Sequence, residues 1–127
     1  MKRPIIVALW GLACAALIAG CGKKPGQKCS TEGEAECTGT DKVLTCSKQV
    51  WTEIPCRGPE GCETVGAQVN CDMTFGQVGE PCDDDGNAAC TPEKKSALKC
   101  TGGKWQHDGD CAGGCKVSGT IVECSAQ

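Results

Sequence analysis

Twelve cysteines follow residue 21, and their spacing repeats almost unchanged along the chain. They form two sets of six: Cys29, Cys37, Cys46, Cys56, Cys62 and Cys71, then Cys82, Cys90, Cys100, Cys111, Cys115 and Cys124. Pairing the sets in order gives offsets of 53, 53, 54, 55, 53 and 53 residues. The tryptophans Trp51 and Trp105 obey the same rule. This regularity predicts two copies of one small unit, over residues 26–72 and 79–125.

Units of this size cannot bury enough apolar surface to fold by that alone, and aromatic residues make up only 3% of the chain. Six cysteines per unit can form three disulfides, each typically worth about 2–4 kcal/mol. Three such bridges are comparable to the net stability of a whole domain, about 5–15 kcal/mol. We therefore expect crosslinks within each unit to hold the fold together, in a pairing pattern that the spacing leaves open.

The clearest local structure prediction is a hairpin in the second unit. Gly102 and Gly103 separate two short extended runs, and a Gly-Gly pair suits the primed turns of two-residue hairpins. This register places Cys100 opposite Trp105 and Leu98 opposite His107.

The first unit repeats the arrangement, with Cys46 opposite Trp51. A third strand is expected at residues 67–71 and again at 120–124, where the residues alternate. The predicted fold class is therefore small, disulfide-rich and mostly β or irregular. Each tandem unit has a short antiparallel hairpin and a further strand.

The first twenty residues have the pattern of an export signal. Lys2 and Arg3 precede an uncharged run of sixteen residues, 5–20, which is short for a permanent membrane span of about 20 residues. Outside the cytosol thiols pair, so export agrees with a disulfide scaffold.

The sequence Leu17-Ile18-Ala19-Gly20-Cys21 ends this run and resembles the lipobox of bacterial lipoprotein precursors. The resemblance implies cleavage before Cys21, a diacylglycerol thioether on its sulfur and acylation of the freed amine.

Two neighbours of the lipobox complete the prediction for this end of the chain. Gly22 resembles the pattern of lipoproteins released to an outer membrane, where the envelope has one. Cys14 is interpreted as a small apolar residue of the signal. Residues 21–28 are polar with proline and glycine, which predicts a lipidated flexible stalk.

Trp51 and Trp105 have two interpretations. As exposed platforms they could stack on sugar rings, and tandem cysteine-rich units with one tryptophan each loosely resemble secreted chitin-binding modules. As core residues they would cover a disulfide, and the hairpin register favours this interpretation because it puts each indole on the cysteine face.

Metal sites are not expected. Asp83-Asp84-Asp85-Gly86 resembles part of a calcium loop, but Lys94 occupies the twelfth position, where a glutamate is needed. No CxxC pair occurs, and a four-residue spacing between Cys111 and Cys115 matches a six-residue spacing in the first unit. A shared zinc site would not tolerate that difference. We predict no cofactor.

An enzyme is not expected either. His107 is the only histidine and has no counterpart in the first unit, so the repeated unit lacks a general base of this type. Loop carboxylates lack the apolar pocket that would raise a pKa for acid catalysis.

After removal of the signal, 11 Lys and Arg face 16 Asp and Glu, which is a poor basis for nucleic-acid binding. The predicted function is a non-catalytic lipoprotein, anchored to the cell envelope through Cys21, that displays two binding or structural modules. The expected partners are the membrane and an extracytoplasmic protein or glycan. One alternative is a carbohydrate-binding module; another is a peptidase inhibitor that presents Arg57 as its P1 residue.

Overall fold

The computed structural model describes residues 22–125, so the predicted signal peptide, Cys21 and the two C-terminal residues lie outside the described part. Ten β-strands and no helix occur in this range. The first unit contains β1 (Ala35–Cys37), β2 (Lys42–Ser47), β3 (Val50–Pro55), β4 (Cys62–Val65) and β5 (Gln68–Cys71). The second contains β6 (Ala88–Cys90), β7 (Ser96–Thr101), β8 (Lys104–Asp110), β9 (Cys115–Ser118) and β10 (Ile121–Cys124).

Each unit consists of a three-stranded antiparallel sheet and a separate two-stranded hairpin. The sheets have the orders β1-β2-β3 and β6-β7-β8, and the hairpins are β4-β5 and β9-β10. The predicted fold class, small, disulfide-rich and mostly β, is confirmed. No helix within residues 22–125 is long and apolar enough to cross a membrane.

All twelve cysteines of the described chain are paired, and every bridge lies within one unit. The connectivity is first to third, second to fifth and fourth to sixth in both units. The pairs are Cys29–Cys46, Cys37–Cys62 and Cys56–Cys71, then Cys82–Cys100, Cys90–Cys115 and Cys111–Cys124. The second of these bridges joins the three-stranded sheet to the hairpin in each unit, so the disulfides hold together elements that share no strand pairing.

The predicted hairpin registers are confirmed. Cys46 pairs with Trp51 in the first unit, and in the second Cys100 pairs with Trp105 and Leu98 with His107. The third strand is placed differently from the expectation. The strands found near residues 67–71 and 120–124 pair with β4 and β9 in separate hairpins, whereas β1 and β6 complete the sheets.

The change in cysteine offset from 54 to 55 residues has its cause in β8. Ala97 pairs with Gly109 and Leu98 with His107, which leaves Asp108 as the extra residue of a β-bulge. The β2–β3 pair of the first unit has no such interruption. The step from 54 to 55 residues is therefore this one inserted residue.

The β2–β3 turn of the first unit has an unusual backbone for its sequence. Lys48 and Gln49 occupy the positive-φ region, at 52° and 63°, where the second unit has Gly102 and Gly103. Glu32 compensates, because its carboxylate accepts the backbone amides of Lys48 at 2.8 Å and Gln49 at 3.2 Å. Asp85, the residue 53 positions after Glu32, accepts the amide of Gly103 at 3.1 Å.

Replacing Lys48 and Gln49 together by glycine should stabilise the first unit. The left-handed conformation costs a non-glycine residue about 1–2 kcal/mol, and glycine avoids this cost. Glycine also has a larger conformational entropy in the unfolded state, which offsets part of the gain. We expect a net gain of about 0.5–1 kcal/mol in the free energy of unfolding, measured by denaturant titration. The reverse change, Gly102→Lys with Gly103→Gln, should destabilise the second unit. A gain in both variants would contradict the strain assigned to this turn.

The structure describes residues 22–28 of the predicted stalk, and part of this segment pairs with the first unit. The amide of Gly26 donates to the Trp51 carbonyl at 2.8 Å, and the Trp51 amide donates to the Gln27 carbonyl at 2.8 Å. Lys28 continues this pairing as the bridge partner of Val50. The segment therefore lies along the edge of β3. Its composition resembles a linker, but backbone hydrogen bonds fix it.

Four small clusters of buried residues replace a single core, and each contains disulfide sulfur. In the first unit Val43 and Ile54 pack with Cys56 and Cys62. In the second unit Leu98 and Ala89 pack with Trp105 and the Cys82–Cys100 bridge. Met73, in the join between the units, packs against both clusters. One flexible side chain thus connects the two interiors.

Candidate functional site at the junction of the two units

The join between the units is fixed at both ends by hydrogen bonds. Asp72 accepts the Thr74 hydroxyl at 2.6 Å and the Thr74 amide at 3.1 Å, and its other oxygen accepts the Glu60 amide at 3.1 Å. Phe75 forms a parallel bridge with Cys90. The Cys90 amide donates to the Thr74 carbonyl at 2.8 Å, and the Gly76 amide donates to the Cys90 carbonyl at 3.0 Å. The join therefore pairs with the end of β6 in the second unit.

A bidentate ion pair closes the junction. The Arg57 guanidinium donates through Nε to both carboxylate oxygens of Glu80, at 2.9 and 3.0 Å, and through Nη2 to one of them. These hydrogen bonds hold the pKa of Glu80 below its usual value and raise the pKa of Arg57. The pair links the two units, because Arg57 follows β3 and Glu80 precedes the first bridge of the second unit.

Neither partner of this ion pair has an equivalent that could repeat the contact. Ala112 holds the place of Arg57 in the second unit, and Gln27 holds the place of Glu80 in the first. The loop that carries Arg57 has five residues between Cys56 and Cys62, against three between Cys111 and Cys115. The change in cysteine offset from 55 back to 53 residues therefore lies in the loop whose arginine contacts the neighbouring unit.

Acidification should loosen this junction. The pKa of Glu80 is depressed in the folded protein, so its contribution is present above the ordinary glutamate pKa and is lost as the pH falls through the lower, folded value. Arg57 is partly exposed, so we expect about 1 kcal/mol or less. Backbone ¹⁵N relaxation should show increased motion between the units at pH 3 relative to pH 6.

Glu80→Gln provides the control for this effect. This variant should show the looser junction at pH 6 and no further change at pH 3. Equal rigidity of the original protein at both pH values would contradict the role assigned to the pair.

An open cleft of about 610 Å³ lies between the first unit and the segment that follows Glu80 in the second. One wall is the face of the β2–β3 sheet that carries Thr45, Ser47 and Thr52, and the other carries Asp83 and Asp85. Burial and the neighbouring Asp84 raise the pKa of Asp83. Within residues 22–125 the hydroxyls of Thr45, Ser47 and Thr52 have no hydrogen-bond partner. The cleft therefore offers hydroxyl donors and carboxylate acceptors to a polar partner.

The two tryptophans are not available as stacking platforms. Trp51 is 5% exposed and Trp105 is 2% exposed. Trp51 packs with Leu44 and Cys46 beneath Lys23, whose Nζ lies 4.9 Å from the ring centroid. Trp105 is covered by Gly76, where an added Cβ would lie 2.6 Å from Nε1. The stacking interpretation is thus corrected: these indoles are core.

The other candidate residues, the acidic turn 83–86 and His107, do not form a common site. Within residues 22–125 no group of three or more His, Cys, Asp or Glu side chains is arranged to hold a metal ion. In the acidic turn 83–86, Asp85 instead accepts the Gly103 amide in the β7–β8 hairpin. His107 lies on the exposed side of β8, with Nε2 at 2.9 Å from Asp110 Oδ1. Hydrogen bonds from His107 and Ser96 lower the pKa of Asp110.

Comparison with protein-family models, with curated proteins and with solved structures finds no match to this chain. The function therefore has to be argued from the geometry and the sequence.

Proposed function

We propose that this chain is a lipid-anchored lipoprotein of the bacterial cell envelope that displays two disulfide-stapled modules and has no catalytic role. The lipobox-like sequence ending at Cys21 supports the anchor. Where the envelope has an outer membrane, Gly22 favours that membrane. The observation that carries the proposal is the complete pairing of the twelve cysteines that follow, because such a scaffold matures in an oxidising compartment.

A rigid display role is favoured by the junction. Arg57, Glu80 and Met73 hold the second unit at one orientation, so a partner would meet a preorganised surface and would not have to order it. We assign partner binding to the cleft beside this junction, where uncharged hydroxyls face Asp83 and Asp85. A polar partner, protein or glycan, fits this lining.

The two alternatives lose the features on which they depended. Carbohydrate binding by stacking needs exposed indoles, and both are buried. A peptidase inhibitor needs a P1 side chain that is free to enter a protease, but the Arg57 guanidinium is held by Glu80. We therefore propose neither glycan stacking on the tryptophans nor protease inhibition through Arg57.

Removing the thiol of Cys21 tests the anchor directly. Cys21→Ser in the full-length precursor should abolish acylation, so its intact mass should lack the diacylglycerol and the further acyl group. Mass is the readout because the variant would keep the apolar run 5–20, which partitions into detergent as acyl chains do.

Cys14→Ser is the matched control, since it removes the other cysteine of the first 21 residues. It should leave the acyl mass unchanged. If the unmodified protein carries no acyl mass, or if Cys21→Ser retains it, the lipoprotein assignment is wrong.

A further inference from the structure

We infer that the first unit rests directly on the membrane surface and contacts anionic lipid headgroups through Lys24 and Lys28. This inference depends on the proposed lipid anchor at Cys21. It adds an interaction surface and its partner, since an anchor alone would allow the units to move freely at a distance from the bilayer.

The chain between the anchor and the first unit is very short. Lys23 forms ion pairs with Glu34 and Glu36, and its ammonium group lies over the Trp51 ring. Only Gly22 separates this fixed residue from Cys21. Two residues span at most about 7 Å, so a lipid on Cys21 would hold this end of the unit against the headgroup layer.

The segment beside the anchor, residues 24–32, differs in charge from its counterpart in the second unit. Within segment 24–32, residues 26–29 pair along β3 in the same way that residues 79–82 of segment 77–85 pair along β8. The Trp105 amide donates to the Glu80 carbonyl at 2.9 Å, as the Trp51 amide donates to that of Gln27. The two segments are therefore equivalent positions of the repeat, and their side chains can be compared directly.

The comparison shows a reversal of charge between these segments. The second unit has four carboxylates, and only one of the matched positions in the first unit is acidic. The carboxylates are Glu80, Asp83, Asp84 and Asp85, and the matched residues are Gln27, Ser30, Thr31 and Glu32. Lys24 and Lys28 replace the uncharged Gln77 and Pro81.

The acids of the first unit do not neutralise these two lysines. Both lysines are exposed, and no carboxylate within residues 22–125 lies within ion-pair distance of them. Glu34 and Glu36 share Lys23, and Glu32 accepts the amides of the β2–β3 turn. In the second unit the acidic segment faces the cleft to the first unit. In the first unit the matching segment lies next to the proposed anchor at Cys21, and we place the bilayer where the second unit has its neighbouring module.

Lysine labelling tests the contact in the mature lipidated protein. The protein is reconstituted into vesicles of phosphatidylcholine alone or with phosphatidylglycerol. It is then treated with an amine-acetylating reagent, and modification is read by mass spectrometry. In the anionic vesicles we expect Lys24 and Lys28 to react about threefold more slowly than in neutral vesicles, and Lys95 and Lys99 to react equally in both. High salt should remove the difference.

Two variants separate direct contact from mere proximity. Lys28→Gln should reduce the protection of Lys24, whereas Lys104→Gln in the second unit should not. An insertion of about ten Gly and Ser residues after Gly22 should restore fast labelling while leaving the lipid in place. Equal labelling of Lys24 in anionic and neutral vesicles, on a protein whose mass shows an acylated Cys21, would overturn this inference alone. A mass without acyl groups would overturn the anchor and this inference with it.

Discussion

Replacing Cys90 and Cys115 together by alanine should unfold the second unit under conditions in which the first remains folded. This bridge joins the β6-β7-β8 sheet to the β9-β10 hairpin, and its sulfurs form a buried cluster with Cys111. Both cysteines are almost completely buried, at 0% and 2% exposure. The change removes a loop-closing crosslink and leaves a cavity, so we expect a loss of about 3–5 kcal/mol in the free energy of unfolding.

The two tryptophans make this experiment selective. Trp105 reports the second unit and Trp51 the first, so their indole N–H resonances follow each unfolding transition separately. Replacing Cys111 and Cys124 is the control, because Cys124 is exposed and its bridge closes a shorter loop. That variant should lose less, about 2–3 kcal/mol. If both variants unfold at the denaturant concentration of the unmodified protein, the crosslinks do not determine the fold.

Replacing Trp105 by alanine should have the second largest effect. The indole fills the space between Leu98, Ala89, the Cys82–Cys100 bridge and the backbone of Gly76. Large aromatic truncations in a core cost about 3–5 kcal/mol, and this small cluster has no second layer to collapse into the cavity. Denaturant unfolding followed by far-UV circular dichroism would measure the loss.

Trp51→Ala is the matched comparison for Trp105→Ala. Its outer cover is a lysine side chain rather than backbone, so the surroundings can relax and the loss should be smaller. A loss below about 1 kcal/mol in Trp105→Ala would mean that this indole is not core and would revive the stacking interpretation.

The sequence predicts the local hairpins well because their determinants are local. Gly102 and Gly103 define a turn, and the positions of Cys100 and Trp105 then fix the register. The first unit has the same register even though Lys48 and Gln49 replace the glycines. Only the three-dimensional contact with Glu32 explains why that turn forms, and a carboxylate sixteen residues away gives no recognisable sequence pattern.

The remaining features depend on contacts between distant segments. Strands β1 and β6 have three residues each, too few to show a period of two. The disulfide connectivity depends on how the hairpins fold back on the sheets. The composition of residues 22–28 predicts a stalk, but composition carries no information on the backbone pairing with Trp51. The cysteine spacing shows that the first unit has the longer loop between Cys56 and Cys62. It does not show that Glu80 is the partner of the arginine in that loop.

Peptide mapping of the mature protein, purified from its native membrane without reduction, tests the central claim most directly. The protein should be acylated at Cys21, and its mass should increase on full reduction by two hydrogens for each of six bridges. Crosslinked peptides should join first to third, second to fifth and fourth to sixth cysteines in each unit. Free thiols, or bridges that connect the two units, would contradict an account in which disulfides fix two repeated modules.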